Sequence, residues 1–365
     1  MIPKKIGFIG LGLIGGTLAK TIKRVYPDIE IVAYDIDLST LEIAKKDNVV
    51  TKIATEIDSS FQDCRYIFLC APVHKNSLLL EKLVPYANEN CILTDVGSVK
   101  NTIHSQVDSM NLSPYFIGGH PMAGSEKTGY ENATAYLFEN AYYILSPTKE
   151  TPKNIISEFE ELIHALGSIP LILDPDLHDY MTGAISHLPH VLASSLVNLI
   201  KKLDNKEETM KAIAAGGFKD ITRIASSSPV MWQEICSSNK GQLIKLLDNF
   251  IASMEEIKVQ ISNNEEEDIL HFFQNAKEYR DSISIHSNGT LPGIYELYCD
   301  LIDEAGGIAT LATILASNNV NIKNIGIIHN REFQDGVLRI EFYEEKALQC
   351  SITLLRKYHY SIYER

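Results

Sequence analysis

The stretch Lys5-Ile6-Gly7-Phe8-Ile9-Gly10-Leu11-Gly12-Leu13-Ile14-Gly15 decides the fold: a short apolar run breaks into glycines and reopens as an amphipathic segment through Leu18 and Ile22. Strand, glycine turn and helix in that order give the dinucleotide fingerprint Gly10-x-Gly12-x-x-Gly15. The glycines let backbone N–H groups approach a pyrophosphate at the helix N-terminus, where the dipole favours anions. An ordinary glycine turn would read the same in isolation. Asp35 separates the two readings, because it closes a second apolar run, Ile31-Val32-Ala33-Tyr34, 20 residues after Gly15. A carboxylate there accepts hydrogen bonds from both adenosine ribose hydroxyls and repels a 2′-phosphate. No arginine follows closely, so the expected cofactor is NAD, held by Gly10, Gly12, Leu13, Ile14, Gly15 and Asp35.

Outward from this unit, apolar runs alternate with amphipathic stretches as far as Leu173, among them Tyr66-Ile67-Phe68-Leu69-Cys70, Ile92-Leu93-Thr94, Tyr115-Phe116-Ile117 and Tyr142-Tyr143-Ile144-Leu145. Such alternation predicts an α/β domain over 1–173: a doubly wound, mainly parallel Rossmann-type sheet with helices on both faces. Cys70-Ala71-Pro72-Val73 ends one strand, and Thr94-Asp95-Val96-Gly97-Ser98-Val99-Lys100 runs from the next strand into a helix. Both fall at the carboxyl edge, where ligands bind, so Ala71 and Pro72 join the expected cofactor contacts. From Pro175 apolar residues recur at helical spacing, as in Leu192, Leu196, Leu199, Ile200 and Leu203, predicting an all-helical domain over 174–284. The polar stretches Asn263 to Asp268 and Ser282 to Gly293 read as a change of organisation and a linker. Beyond them, 285–365 reads βαββαβ, a second small α/β domain.

The 365-residue length exceeds what one hydrophobic core usually supports, in keeping with several domains. A formal net charge of −14 argues against a nucleic-acid or anionic-membrane surface, so an anionic substrate must meet locally placed cations. Six cysteines without a CxxC pair read as reduced thiols. No apolar run reaches the roughly 18 residues of a membrane span, and no signal peptide is evident, which makes the cytoplasm the expected compartment.

His120 lies in the glycine-dense stretch Gly118-Gly119-His120-Pro121-Met122-Ala123-Gly124-Ser125-Glu126, predicted to be a loop at the carboxyl edge facing the nicotinamide. Hydride loss from a carbinol needs the hydroxyl proton removed in step, which a neutral imidazole can do near pH 7. Ser98 is placed to fix its tautomer by a hydrogen bond; the plainer alternative is a structural histidine. A second cluster comprises His178, Ser186-His187-Leu188-Pro189-His190, Gly217-Phe218-Lys219-Asp220-Ile221-Thr222-Arg223-Ile224-Ala225 and Trp232. His187 and His190 have metal-like spacing but no evident third ligand, so no metal is expected. Arg223 offers a rigid fork for a carboxylate, or else pairs with Asp220 or another acid. Trp232 is either pocket or core.

These motifs, in this order, resemble those of the prephenate and arogenate dehydrogenases. The resemblance implies NAD-dependent oxidative decarboxylation of prephenate to 4-hydroxyphenylpyruvate in tyrosine biosynthesis, with His120 as base and Ser98 orienting it. It further implies that Arg223 holds the ring carboxylate, that His190 lies at the substrate pocket, for which Trp232 is a further candidate, and that Glu126 stands at its entrance. The helical domain is similar to one through which family members form homodimers. The last 80 or so residues resemble a ligand-sensing ACT domain, with tyrosine the expected feedback inhibitor, although Ala305 stands where such domains carry a turn proline. Three alternatives remain open: arogenate as substrate, a β-hydroxyacid dehydrogenase, whose catalytic lysine has no clear counterpart here, and a non-catalytic sensor of NAD and tyrosine.

Overall fold

The structure, a computed structural model, describes residues 3–72, 75–124, 127–283, 295–300, 306–328 and 337–363. The chain divides into two compact units, Met1–Arg280 and Asp281–Arg365.

The first unit opens with β1 (Lys5–Ile9), α1 (Leu13–Val25), β2 (Glu30–Tyr34), α2 (Leu38–Lys46), β3 (Lys52–Ala54), β4 (Tyr66–Leu69) and α3 (Asn76–Leu83). It continues with β5 (Ile92–Asp95), α4 (Asn101–Ser109), β6 (Phe116–Pro121), β7 (Tyr142–Pro147), α5 (Lys153–Ala165) and β8 (Ile169–Ile172). The strands form one eight-stranded sheet in the order β3-β2-β1-β4-β5-β6-β7-β8, parallel throughout except where β6 meets β7. Burial on both faces explains the continuous apolar runs. Tyr66 and Phe68 point into one core with Ile6, Phe8, Leu18, Ile22 and Phe159, while Ile67 and Leu69 point into the other with Val32, Leu93 and Phe116. Phe8 stacks on Phe68 at 5.1 Å between ring centroids, and burying each such ring contributes about 1.5–3 kcal/mol. Helix α1 buries Leu18, Ala19 and Ile22 and gives way at Tyr26, whose backbone turns extended ahead of Pro27.

The helical part follows in the same unit: α6 (Pro175–Thr182), a π turn (Gly183–His187), α7 (Leu188–Leu203), α8 (Thr209–Ile213), α9 (Gly216–Thr222), α10 (Pro229–Ser238), α11 (Lys240–Ser262) and α12 (Glu266–Ser282). Pro189 has no N–H to continue the α ladder, and Leu188 N–H reaches back five residues to Gly183 O. Gly183 also lets α11 close in, since a Cβ there would sit 2.9 Å from Leu246 Cδ1. The expectation of no membrane-length apolar segment needs correction: Pro175–Leu203 forms a 29-residue helical run long and apolar enough, by length and composition, to cross a membrane. The sequence hides this because His178, Asp179, His187 and His190 interrupt the run, yet three of them are buried within the protein. The polar stretch at Asn263 is a tight turn between α11 and α12.

The second unit contains β9 (Tyr295–Asp300), α13 (Gly307–Ser317), β10 (Ile322–Ile328), β11 (Val337–Phe342), α14 (Glu345–Lys357) and β12 (Ile362–Tyr363). Its antiparallel sheet runs β10-β11-β9-β12, the split βαβ arrangement that the βαββαβ reading anticipates. Leu297, Cys299, Leu338 and Ile340 pack against Leu311, Leu315 and Leu355. The expected ligand turn at Asp303, Glu304 and Ala305 lies outside the described residues.

Candidate active site

At the end of β1 the chain turns through Gly10 at φ +98°, where a side chain would be strained and its Cβ would lie 2.9 Å from the Cys70 carbonyl. A Cβ on Gly15 would come within 2.4 Å of Gly10 O, so the glycine lets α1 pack onto the turn. Gly12, the residue before α1, faces open space and provides no side-chain cap, leaving the first N–H groups of the helix to a ligand. Asp35 braces this loop: Oδ2 accepts from Leu11 N at 2.7 Å and Oδ1 from Asp37 N at 2.9 Å. Each carboxylate oxygen keeps acceptor capacity for a ribose hydroxyl. Ile14 packs against the sheet core behind the loop. Ala71 and Pro72 follow β4 on the same edge. A glycine cradle that a side chain would fill, facing an uncapped helix start beside a carboxylate, fits a dinucleotide.

Further along the edge a buried ion pair sets the frame. Lys100 and Asp95 are 0% and 1% exposed and pair directly. Lys100 Nζ also donates to Gly119 O at 2.7 Å, and Asp95 accepts from Gly97 N at 2.9 Å and Gly119 N at 3.2 Å. Burial pushes the Lys100 ammonium below its ordinary pKa, against the pull of Asp95. The pair thus clamps the end of β6 to the loop that carries Ser98.

His120 sits within β6 rather than in a loop, next to that clamp, because Gly119 pairs across to Leu145 of β7 and keeps the strand going. Its Nδ1 lies 2.8 Å from His178 Nε2, and His178 Nδ1 lies 2.8 Å from Asp179 Oδ1. Sequence reading gave the orienting role to Ser98. Among the described residues the hydrogen bond at His120 Nδ1 goes to His178 of α6, and Ser98 is part-exposed in the β5–α4 loop. Burial first, then the neighbouring His178, Lys100 and His187, hold the His120 pKa well below the usual histidine value. The ring is therefore neutral at physiological pH.

The second cluster assembles beside this one. His190 Nδ1 donates to Ser186 O at 2.9 Å, and its ring stacks on Trp232 at 3.7 Å. His187 Nδ1 accepts from Asn239 Nδ2 at 3.0 Å, which leaves the proton on Nε2, a buried donor with no partner among the described residues. Burial lowers the His187 pKa to about 4. Arg223, exposed at the turn after α9, is close enough for its charge to depress the His190 pKa, behind the larger effect of burial. Glu126 lies outside the described residues. Sequence reading passed over Asp179 and Asn239, whose partners lie 79 and 60 residues away along the chain, too far for spacing to reveal.

A fingerprint-bearing doubly wound sheet, joined to a helical region that brings histidines and an arginine to its carboxyl edge, defines a dinucleotide-dependent oxidoreductase. Residues 18–169 match the family model for the prephenate dehydrogenase nucleotide-binding domain, and residues 174–275 match that for the prephenate dehydrogenase dimerization domain. The chain is 38% identical to prephenate dehydrogenase of Bacillus subtilis over 93% of its own length and 94% of the relative's. It is 35% identical to that of Lactococcus lactis over 97% and 98%. Among solved structures, the prephenate dehydrogenase of A. aeolicus in complex with hydroxyphenyl propionate and NAD+ superposes with a TM-score of 0.73 at 32% identity, covering 77% of this chain and 98% of that one. The chain belongs to the prephenate dehydrogenase family.

Proposed function

We propose that this chain oxidises and decarboxylates prephenate with NAD, releasing 4-hydroxyphenylpyruvate. The observation that carries the reading is a neutral histidine, His120, fixed at the carboxyl edge between a dinucleotide cradle and the Arg223–His190–Trp232 cluster. When bound, NAD supplies the hydride acceptor. His120 takes the ring hydroxyl proton as hydride departs from the same carbon. Cleavage of the bond to the ring carboxylate then releases carbon dioxide and leaves an aromatic phenolate, to which the proton returns. Arg223 holds the ring carboxylate with a planar fork. His190 and Trp232 pack against the ring, and Ser98 contributes from the cofactor side. Asp35 selects NAD.

In this reading residues 1–173 bind the cofactor and 174–284 form a homodimer that covers the apolar face of the 29-residue helical run. Residues 285–365 serve as an ACT-like regulatory domain for tyrosine, in the cytoplasm. The test is NADH formation by the purified chain with prephenate or arogenate. Turnover on arogenate alone would reassign the substrate, and none on either would leave a cofactor-binding sensor.

A further inference from the structure

We propose that His178 and Asp179 are positioning residues that fix the tautomer of His120, with Asp179 at the same time fastening the Ser98 loop to the helical region. The proposal rests on the reading of His120 as the base. Asp179 is 1% exposed, and its oxygens accept from Lys100 N at 2.7 Å and Asn101 N at 2.9 Å, the uncapped start of α4, as well as from His178. A carboxylate at a helix N-terminus is stabilised as an anion, and these hydrogen bonds hold Asp179 below the ordinary carboxylate range despite burial. An ionised carboxylate can only accept, so His178 Nδ1 must be the donor. In neutral His178 the lone pair is then on Nε2, and His120 Nδ1 must donate to it. The lone pair left on His120 is at Nε2, which has no hydrogen bond among the described residues and is the atom available to take a proton.

The titratable groups that face His120 among the described residues are His178 from α6, Lys100 from the β5–α4 loop and His187 from the π turn. Asn239 Nδ2, at the junction of α10 and α11, donates to Asp179 O at 2.8 Å and fixes the backbone of the pair. The base is thus held across the sheet edge by α6, whose backbone the α10–α11 junction fixes in turn. The arrangement follows the logic of a histidine oriented by a carboxylate, with a second imidazole interposed.

Two variants separate positioning from folding. His178→Gln keeps an acceptor near the place of Nε2, whereas His178→Leu removes it. Turnover number and KM would be measured for both in the full chain, alongside the 15N spectrum of histidine-labelled protein near pH 8, with the His120 signals identified by their loss in His120→Asn. His178→Gln should stay within about tenfold of the unaltered kcat and His178→Leu should fall by roughly 10²-fold or more, both with KM for NAD little changed. The unaltered protein should carry the His120 proton on Nδ1. A proton on Nε2 overturns the proposal whether or not the leucine variant folds, and so does a folded His178→Leu with kcat within threefold. If His120→Asn loses turnover while His178→Leu does not, only the pairing falls. If His120→Asn keeps full turnover, the base reading falls and the proposal with it.

Discussion

Replacing Asp35 by Ala together with Ile36→Arg should turn the cofactor preference from NAD toward NADP. In the proposed reading the Asp35 carboxylate, just after β2, accepts from the ribose hydroxyls, and hydrogen bonds to a charged group are worth about 1.5–3 kcal/mol each. Losing one such bond weakens NAD by roughly 10- to 150-fold, at about 1.4 kcal/mol per factor of ten. Ile36 is 93% exposed, so an arginine there displaces no core contact and provides a partner for a 2′-phosphate. Removing the negative charge also lifts the repulsion of that phosphate, and the two changes together should shift the ratio of kcat/KM values by about 10³-fold. Asp35 also holds Leu11 N at 2.7 Å, so Asp35→Ala alone should weaken both cofactors by loosening the glycine turn. Steady-state kinetics with each cofactor at saturating prephenate read the ratio directly. A ratio that moves less than threefold in the double variant would refute the placement of the ribose at Asp35.

His120→Asn should lower kcat by roughly 10²- to 10⁴-fold with NAD affinity preserved, and a loss under threefold would remove it from the role of base. Because only the neutral ring accepts a proton and the His120 pKa lies well below 6.5, kcat/KM should hold as pH falls through 6.5 and decline only at more acid values; His120→Asn should lack that limb. Arg223→Ala should raise KM for prephenate by about 10²-fold, and Arg223→Lys should restore little, since a point charge cannot replace a fork. Lys100→Met strands a buried carboxylate and should cost about 3–5 kcal/mol in chemical denaturation, with partial recovery on adding Asp95→Asn; a loss below 1 kcal/mol would contradict the buried pair. Truncation after Ser284 should give an active enzyme that tyrosine no longer inhibits, and full inhibition of a folded truncation would place tyrosine in the catalytic pocket instead.

What could be read from the sequence was local. Gly10, Gly12, Gly15 and Asp35 fall within one strand–helix–strand unit, so their spacing alone reports the cradle. The alternation in 295–363 likewise gives the split βαβ order. His120 was recognisable as a residue type in a glycine-rich context, but its partner is 58 residues away. Asp179 caps a helix that starts 78 residues earlier, and no periodicity reports a cap supplied from another element. The reversal of direction between β6 and β7 escaped for a similar reason: an antiparallel pair inside an α/β sheet is set by the path of the connection rather than by the apolar pattern of either strand.

The π turn at Gly183–His187 sets an angular phase. Each residue of an α-helix advances the side-chain direction by about 100°, and the wide turn absorbs one residue between the segment bearing His178 and Asp179 and the segment bearing His190. The long helix can therefore aim one part at the sheet edge and the other at Trp232. Continued as an α-helix through the same residues, it would keep its sequence and hydropathy but swing the second histidine-bearing face by about 100° relative to the first.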